Sequence, residues 1–339
     1  MLRIDGSFGE GGGQILRTSL ALSLVTGTPF RIERIRAGRK KPGLMRQHLT
    51  AVEAAREIGH ADVSGDREGS LELTFVPGKV VPGDYRFSVG TAGSTALVLQ
   101  TVLPGLLTAD GPSSLTLEGG THNPFAPPFD FLVRTFLEVV NRMGPHVVVI
   151  LERPGFYPAG GGRIRVTVQP APALQRFDLL ERGPIRRRCA TAVMAGLPRH
   201  IAERELRVIG KKLDIDEDAL CLKELPAKYG PGNVLTVEIE SEHVTEVVTG
   251  FGQRGVRAEE VARGVAQAAR EYLDAEVPVG VHLADQLLIP FALAGGGSFL
   301  TMAPSEHTKT NAEVVKMFVG VQVAMEQISE KQWRVSIHK

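Results

Sequence analysis

One order of elements, namely helix, strand, polar loop, helix and strand, recurs three times along this chain. The first helices of the first two copies are expected to begin 80 residues apart, at Gln14 and Ser94, and the third at Val281, 187 residues further on. A regular offset of this kind indicates a duplicated supersecondary unit. The longer second interval leaves roughly 100 residues over, which is the size of a small domain. The pattern therefore predicts a repeated scaffold with an insertion between its second and third copies.

The expected elements place the chain in the α/β (α+β) class. The first copy has strands at 2–5, 30–35 and 71–76 and helices at 14–25 and 44–58; the second has strands at 85–89, 114–117, 146–151 and 163–168 and helices at 94–107 and 129–143; the third has helices at 281–294 and 312–318 and strands at 298–302, 322–326 and 333–338. The intervening segment has its own helices, expected at 201–212 and 258–273. We therefore expect a large domain formed by residues 1–181 and 277–339 and a smaller α/β domain, 182–276, inserted into it.

The composition is that of a folded globular protein. Hydrophobic residues make up 43% and charged residues 23% of the chain, and 39 Lys and Arg against 38 Asp and Glu leave a formal net charge of +1. Such a chain is too apolar and too neutral for intrinsic disorder. It is also not an overall basic nucleic-acid-binding protein, so an anionic ligand has to meet a local patch of positive charge.

The sequence predicts a cytoplasmic protein that does not enter a membrane. No apolar run reaches the ~18 residues of a membrane helix, and the first six residues lack the apolar core of a secretory signal. The two cysteines, Cys189 and Cys221, form neither a disulfide framework nor a CxxC pair, as is typical of a reducing compartment.

A basic run and a glycine-rich turn lie close together near the start of the chain. The cations of the run are Arg17, Arg31, Arg34, Arg36, Arg39, Lys40 and Lys41. Glycines at 9–13 bare the backbone amides at the start of the first expected helix, which favours the binding of anionic oxygens, and Arg17 lies on the first turn beside them. Glu10 among these glycines is a candidate ligand for a divalent cation, which prefers oxygen donors. A solvated basic face and a sharp turn are the simpler interpretations of these features.

The loop after the second strand of each copy carries unusual polar residues. These are Arg36, Arg39, Lys40 and Lys41 in the first copy, His122 and Asn123 in the second, and Glu306, His307 and Lys309 in the third. Loops on a rigid scaffold often carry function, so we expect one cleft that is lined by loops of several copies. We expect His307 in a loop just before a helix, and this position distinguishes it from the other histidines. An isolated histidine is nevertheless more often a surface or packing residue.

The absence of several motifs argues against several classes of enzyme. The sequence has no GxxxxGK[ST], HExxH, paired CxxC or GxSxG, which argues against a Walker-type ATPase, a zinc site and an α/β-hydrolase. The stretch 250–255 matches GxGxxG between a β-prone segment and a helix. A dinucleotide site also requires a βαβ unit, and only a weak strand follows, so a glycine-rich turn is the favoured interpretation.

Six stretches together resemble the RNA 3′-terminal phosphate cyclase family. They are 10–17 (EGGGQILR), 36–48 (RAGRKKPGLMRQH), 119–128 (GGTHNPFAPP), 155–162 (GFYPAGGG), 282–286 (HLADQ) and 305–307 (SEH). The resemblance runs from residue 5 to the end of the chain. It implies a large domain of three βαβαββ units, similar to the C-terminal domain of translation initiation factor 3, and an inserted thioredoxin-like small domain.

The resemblance also implies an activity. Members convert an RNA 3′-terminal phosphate to a 2′,3′-cyclic phosphodiester at the expense of ATP, through a covalent histidinyl-AMP and an RNA-(3′)pp(5′)A intermediate. The residue that matches the nucleophile is His307. The expected partners are ATP, RNA 3′-phosphate ends and a divalent metal, Mg²⁺ or Mn²⁺, with a homodimer as the candidate assembly.

The family pattern assigns further residues by position. Nucleotide-binding positions are Gln100, Pro127, His282, Leu283, Ala284, Asp285, Gln286, Arg36, Gln47 and His48; Arg17 and Arg39 are catalytic with His307, and Glu10 ligates the metal. Two positions depart from the pattern: His282 stands where an aromatic Tyr is common, and the acidic Glu306 beside the nucleophile is expected to raise the pKa of His307.

Two competing functions remain at this stage. One is a cyclase-like RNA-binding factor of ribosome assembly without the catalytic histidine, against which the retention of His307, Glu10, Arg17 and Asp285 argues. The other is a dinucleotide-dependent enzyme that uses the glycines at 250–255.

Overall fold

Four β-sheets and the helices that cover them make up the computed structural model, which describes residues 1–338. The strands are β1 (Leu2–Asp5), β2 (Phe30–Glu33), β3 (Asp62–Ser64), β4 (Leu73–Val76), β5 (Asp84–Ser88), β6 (Ser113–Gly119), β7 (His146–Arg153), β8 (Gly162–Gln169), β9 (Ile185–Ala195), β10 (Leu220–Leu225), β11 (Gly232–Ser241), β12 (Thr245–Phe251), β13 (Gly296–Thr301), β14 (Gln322–Gln327) and β15 (Trp333–His338). The expected mixed α/β class is confirmed.

The α-helices of the described residues lie close to their expected positions, apart from the start of α9. They are α1 (Gly13–Thr26), α2 (Arg46–Gly59), α3 (Thr95–Leu106), α4 (Phe129–Phe131), α5 (Leu137–Asn141), α6 (His200–Leu213), α7 (Ala258–Ala275), α8 (Val281–Leu293) and α9 (Glu306–Val319). The single helix expected at 129–143 is interrupted between α4 and α5 by a π-helical turn, Leu132–Phe136.

Two of the sheets have the same topology. Their strand orders are β1-β2-β4-β3 and β5-β6-β8-β7. In each, the first two strands are parallel, as a helical crossover requires, and the remaining pairs are antiparallel. The third sheet, β13-β15-β14, repeats the antiparallel part of this order.

The edge of β13 is paired by two distant residues. Leu179 forms a parallel bridge with Phe299, and Val279 forms one with Thr301. These residues occupy the position that the first strand has in the other two sheets. The chain from 180 to 278 leaves and rejoins the third sheet there, and it contains the fourth sheet, β10-β9-β11-β12.

Helix α1 is buried nearly all round, which explains why its sequence is apolar on every face. It contacts α2, α3 and α9, and Leu16 and Leu20 have no exposed surface. The helix ends at Gly27, whose φ of 68° gives the left-handed conformation of a C-cap. At the other end Gly12 is the N-cap, and no side chain of residues 1–338 caps the first amides. The start of α1 is therefore fixed by packing, with its amides free for other partners.

The expected start of α9 is wrong. The sequence predicts a loop up to 311 and a helix at 312–318, whereas the helix begins at Glu306. Ser305 is its N-cap, with Oγ accepting from the Thr308 N–H at 3.2 Å, and Glu306 lies in the first turn, where an acidic side chain is stabilised by the helix dipole. His307 therefore lies on the first helical turn instead of in a loop.

A buried carboxyl group joins the fourth sheet to α8. Glu246 on β12 is 5% exposed, and a Cβ on Gly280, the N-cap of α8, would lie 2.6 Å from its Oε1. Its Oε2 has no hydrogen-bond partner among residues 1–338. Burial raises the pKa of Glu246 to about 8, although the hydrogen bond from the Gly280 backbone opposes the shift.

This pKa predicts how stability depends on pH. Between about pH 4.5 and about pH 8 the folded protein holds a proton on Glu246 that the unfolded chain releases, so the free energy of unfolding falls as the pH rises through this window. Glu246→Gln removes the titration. We expect the variant to be more stable than the wild type at pH 8.5 by about 1–3 kcal/mol, and equal to it near pH 5, in urea denaturation. Glu205 is another buried carboxyl group with a raised pKa; it is present in both proteins, so its contribution cancels in the difference between their free energies of unfolding. A difference that stays constant with pH would contradict the assignment to Glu246.

Candidate active site

The glycine-rich turn before α1 brings backbone close to several polar side chains. Gly9 and Gly11 have φ values of 54° and 60°, in the left-handed region that glycine adopts without strain. A Cβ on Gly13 would overlap His48 Nε2 and would lie 2.8 Å from Arg17 Nη1. The start of α1 is thus a narrow space lined by backbone amides, an imidazole and a guanidinium group.

The side chain of Gln14 joins two of the expected site residues. Its Nε2 donates to Asp285 Oδ1 at 2.5 Å, and its Oε1 lies 2.8 Å from His307 Nδ1. Because the amide oxygen can only accept, His307 Nδ1 carries the proton of this hydrogen bond. In the neutral imidazole the in-plane lone pair is then on Nε2, so Nε2 is the nitrogen that can act as the nucleophile. The His307 side chain is 55% exposed, so this nitrogen is open to a substrate.

Asp285 is half-buried and accepts the hydrogen bond of Gln14. Burial raises the pKa of its carboxyl group, and His307, the hydrogen bonds of Gln14 and Asn311, and the charge of Arg17 oppose the shift. Asn311 Nδ2 donates to the Asp285 carbonyl at 2.9 Å, and Thr18 Oγ1 donates to Asn311 Oδ1 at 2.7 Å. These bonds lock α1, α8 and α9 together directly below the imidazole.

Glu10 and Arg39 lie on the Nδ1 side of His307, the side that Gln14 also contacts. The two form an ion pair, and Arg39 Nη2 also donates to the Glu10 carbonyl at 3.0 Å. Glu10 Oε2 is 3.9 Å from His307 Nδ1, and the Glu10 N–H donates to Thr310 Oγ1 at 3.1 Å. The structure therefore brings together His307, Glu10 and Arg39, residues that are far apart in the sequence.

Two further basic groups are held in defined charge states. Burial lowers the pKa of Arg17 to about 10, with Asp285 opposing the shift, so the guanidinium stays charged at neutral pH. Burial and the charges of Arg17 and Arg36 lower the pKa of His48 to about 3. His48 is therefore neutral; its Nδ1 accepts from the Met45 N–H at 3.1 Å, which leaves the proton on Nε2, against Gly13.

The remaining expected residues differ in their surroundings. Gln100 Nε2 donates to Gln286 Oε1 at 2.5 Å, Gln47 Oε1 accepts from the Ser94 N–H at 3.0 Å, and Arg36 Nη1 donates to the Gly43 carbonyl at 2.8 Å. Burial, with the nearby His307, lowers the pKa of His282. Leu283 and Ala284, on the core face of α8, are buried among apolar side chains, and Pro127 is half-buried in the loop after β6.

Two expectations about the polar loops need revision. His122 is 3% exposed and packs on Phe156 with ring centroids 5.3 Å apart, so it stabilises its loop instead of facing a cleft. Glu306 is exposed and forms an ion pair with Lys309 at 2.7 Å, which gives its charge a partner other than His307.

Comparison with known proteins identifies the family. A family model described as RNA 3′-terminal phosphate cyclase matches residues 8–325. A curated RNA 3′-terminal phosphate cyclase of Koribacter versatilis is 51% identical over 332 residues, which cover 98% of this chain and 93% of that protein. One of Ectopseudomonas mendocina is 50% identical over 338 residues, 100% of this chain and 98% of the relative. The chain belongs to the RNA 3′-terminal phosphate cyclase family. The predicted resemblance is confirmed.

The structure of this cyclase-family chain argues against a dinucleotide site at 250–255. Strand β12 is antiparallel to its neighbour β11, and α7 leads to α8 without returning to that sheet. Strand β12 and helix α7 therefore do not form the βαβ unit that such a site needs. The glycines form a turn in which the Gly252 N–H donates to the Asn233 carbonyl at 3.0 Å.

The described part of the cyclase chain shows two further properties. No group of three or more His, Cys, Asp or Glu side chains in residues 1–338 is arranged to hold a metal ion. Within the same residues no helix combines the length and apolar character needed to cross a membrane.

Sequence reasoning missed Gln14, Thr310 and Asn311 in the site. Gln14 stands directly after the glycine run, at the first turn of the helix, and that position was the available signal. The sequence predicts a loop up to residue 311, whereas Thr310 and Asn311 lie on the same helix as His307.

The space at the start of α1 predicts a difference between two glycines. Gly13→Ala should force apart His48 and Arg17 and lower the free energy of unfolding by about 1–3 kcal/mol, as overpacking does. Gly38→Ala, in the basic loop, meets nothing within 4 Å and should leave stability unchanged. Thermal denaturation of both variants tests this, and equal stability of the two would show that Gly13 is not constrained.

Proposed function

We propose that this protein is an ATP-dependent RNA 3′-terminal phosphate cyclase that acts through a covalent histidinyl-AMP on His307. The observation that carries the proposal is the chain Asp285–Gln14–His307, which leaves Nε2 of an exposed imidazole free as a nucleophile. The names of relatives at about 50% identity over almost the whole chain support the same reaction.

In the first step, Nε2 of His307 attacks the α-phosphorus of ATP. The N–P bond forms as the bond from the α-phosphorus to the bridging oxygen breaks, and pyrophosphate leaves with that oxygen. The imidazole becomes cationic; Gln14 Oε1 accepts from its Nδ1–H, and Glu10 Oε2 at 3.9 Å stabilises the charge. This assistance makes the histidine a better nucleophile without removing its proton.

The leaving pyrophosphate carries concentrated negative charge. Arg17, Arg39 and the uncapped amides of α1, which are close to Gln14 or Glu10, are the groups that we propose stabilise this charge. Preorganised donors of this kind are the main source of stabilisation in phosphoryl transfer, and a guanidinium can bind two phosphate oxygens at once. His48 adds an uncharged Nε2–H donor at Gly13.

The two later steps regenerate the free histidine and close the ring of the 2′,3′-cyclic phosphodiester. An oxygen of the RNA 3′-phosphate attacks the α-phosphorus of the adenylate, the N–P bond breaks, and RNA-(3′)pp(5′)A forms. The vicinal 2′-hydroxyl then attacks the 3′-phosphorus and loses its proton to solvent, and AMP leaves. Because this last attack is intramolecular, it has a high effective molarity and needs little from the protein.

The nucleotide-binding residues assigned by the family pattern form part of this proposal. Gln100, Gln286 and His282 lie along the α3–α8 side of the site, and Arg36, Gln47 and His48 along the α2 side, while Pro127 would pack on the adenine. Leu283 and Ala284 would act through backbone only, since their side chains are in the core.

A divalent metal fits the site only as a companion of the nucleotide. Mg²⁺ is often held by one or two carboxylates together with substrate phosphates and water, and Glu10 is a carboxylate placed beside His307. We propose that Glu10 holds the metal; when bound it would neutralise phosphate charge.

The domain organisation and location are also proposals. We propose three units similar to the C-terminal domain of translation initiation factor 3, with a thioredoxin-like domain (182–276) inserted between the second and third. The proposal is supported by the shared strand order of two sheets, whose antiparallel part the third repeats, and by a separate apolar core between α6, α7 and the fourth sheet. A cytoplasmic location is supported by Cys189 and Cys221, which are both free thiols.

The first test concerns the nucleophile. Incubation with ATP labelled at the α-phosphate and Mg²⁺ should give acid-labile AMP on the wild-type protein, and His307→Ala and His307→Asn should give none. An RNA-binding assembly factor would give no label with any form of the protein. Covalent AMP that persists in both variants would contradict the assignment.

The second test concerns Gln14 as a positioning residue. Gln14→Leu removes the acceptor of His307 Nδ1–H, and we expect adenylylation to fall by about 100-fold, as loss of orientation does. The ¹⁵N NMR shifts of His307 should move from the Nδ1–H tautomer towards a mixture, which a purely structural role would not cause. An unchanged tautomer would remove the reason given for the slow rate.

A further inference from the structure

Two exposed aromatic side chains stand out among the loops around the second sheet. Phe125 is 99% exposed and Tyr157 is 61% exposed. Phe125 also has a φ of 67°, a conformation that is a genuine outlier for a bulky residue and costs stability. A large apolar ring held in solvent by a strained backbone has no packing role, which points to a ligand.

The residues just before Phe125 are buried and hydrogen-bonded to neighbouring segments. Thr121, His122 and Asn123 are each 6% exposed or less. The Thr121 N–H donates to the Gly155 carbonyl at 2.8 Å, and Asn123 Nδ2 donates to the Ala92 carbonyl. The exposed ring therefore follows directly after a packed, hydrogen-bonded segment.

The loop that carries Tyr157 packs on the same segment. Phe156, the residue before it, stacks on His122, and a Cβ on Gly160 would lie 2.9 Å from the Ala92 Cα. Both loops thus pack on the turn 91–93. We call Phe125 and Tyr157 the aromatic rim.

The turn 91–93 connects the aromatic rim to the proposed active site. Ser94, directly after the turn, donates its N–H to Gln47 Oε1 at 3.0 Å. Gln47 precedes His48, whose Nε2 faces Gly13 at the start of α1. The loops of the aromatic rim are therefore connected, through the turn 91–93, Gln47 and His48, to the start of α1.

We propose that Phe125 and Tyr157 bind the last bases of the RNA strand by stacking. An RNA end whose 3′-phosphate lies among Arg17, Arg39 and the α1 amides must leave the site over its margin, with its bases unpaired. Aromatic side chains are the usual platforms for single-stranded bases, and they accept any base because each has a π-face. This inference rests on the proposed function and adds the subsite that holds the RNA.

The test uses short RNA with a 3′-phosphate and 2-aminopurine at the last or the penultimate position. Wild-type protein should quench the fluorescence of this base on binding. Phe125→Ala and Tyr157→Ala should each weaken binding about tenfold, the effect expected for one lost stacking contact, and should reduce the quenching. Phe125→Trp should restore both. Ile328→Ala is the matched control, since Ile328 is an exposed apolar residue in the turn between β14 and β15.

Two further measurements separate the RNA base from other ligands. Adenylylation with ATP alone should stay within twofold of the wild type in both alanine variants; a loss as large as that for RNA would assign the rings to the adenine of ATP and overturn the proposal. RNA with abasic final nucleotides should bind wild type and variants equally weakly.

The remaining outcomes are also decisive. RNA binding equal to wild type in the Phe125→Ala/Tyr157→Ala double variant would overturn the aromatic rim, even if the wild type cyclises RNA normally. Failure of the wild type to form the adenylyl-enzyme would instead defeat the proposed function, and the fluorescence of the RNA probe would still test the rim. Thermal denaturation of each variant verifies that it is folded.

Discussion

The side-chain amide of Gln14 is the group on which the arrangement of the site depends. An amide has one donor end and one acceptor end, and here each end has a fixed partner, Asp285 and His307. Asp285 is acceptor-only when ionised, so the amide cannot turn without losing both bonds. A half-buried carboxyl group on α8 thereby decides which nitrogen of an imidazole on α9 carries a proton, through a residue on α1. The bonds of Thr18 and Asn311 hold the three helices in the register that this requires.

Much of the scaffold could be predicted from the sequence, because hydrophobic periodicity and glycine turns report local structure directly. The start of α9 could not be, because the Ser305 cap begins the helix at Glu306, six residues before its apolar pattern becomes evident. The π-helical turn between α4 and α5 and the three-residue strand β3 left no periodic signal of their own.

The residues of the site also divide into those that the sequence predicts and those that it does not. Residues within one motif, such as Glu10 and Arg17, could be selected as candidates from chemistry alone. Their partners could not, because a pairing like Glu10 with Arg39 or Gln14 with Asp285 is created by tertiary packing between distant segments. His122 shows the opposite error: a polar residue in a promising loop became a packing residue, since stacking on Phe156 satisfies its apolar faces.

The two bridges on β13 have a consequence for how this architecture can change over evolutionary time. Leu179 and Val279 pair with Phe299 and Thr301, positions two residues apart on one strand, or roughly 7 Å. The segment from 180 to 278 therefore starts and finishes at neighbouring points of a sheet edge that the rest of the chain already defines. Its gain, loss or replacement would demand no new register in the third sheet, and the closure entropy of such an excursion grows only slowly with its length. The sheet edge is thus a docking point at which modules can be exchanged while the helices that carry the imidazole stay in place.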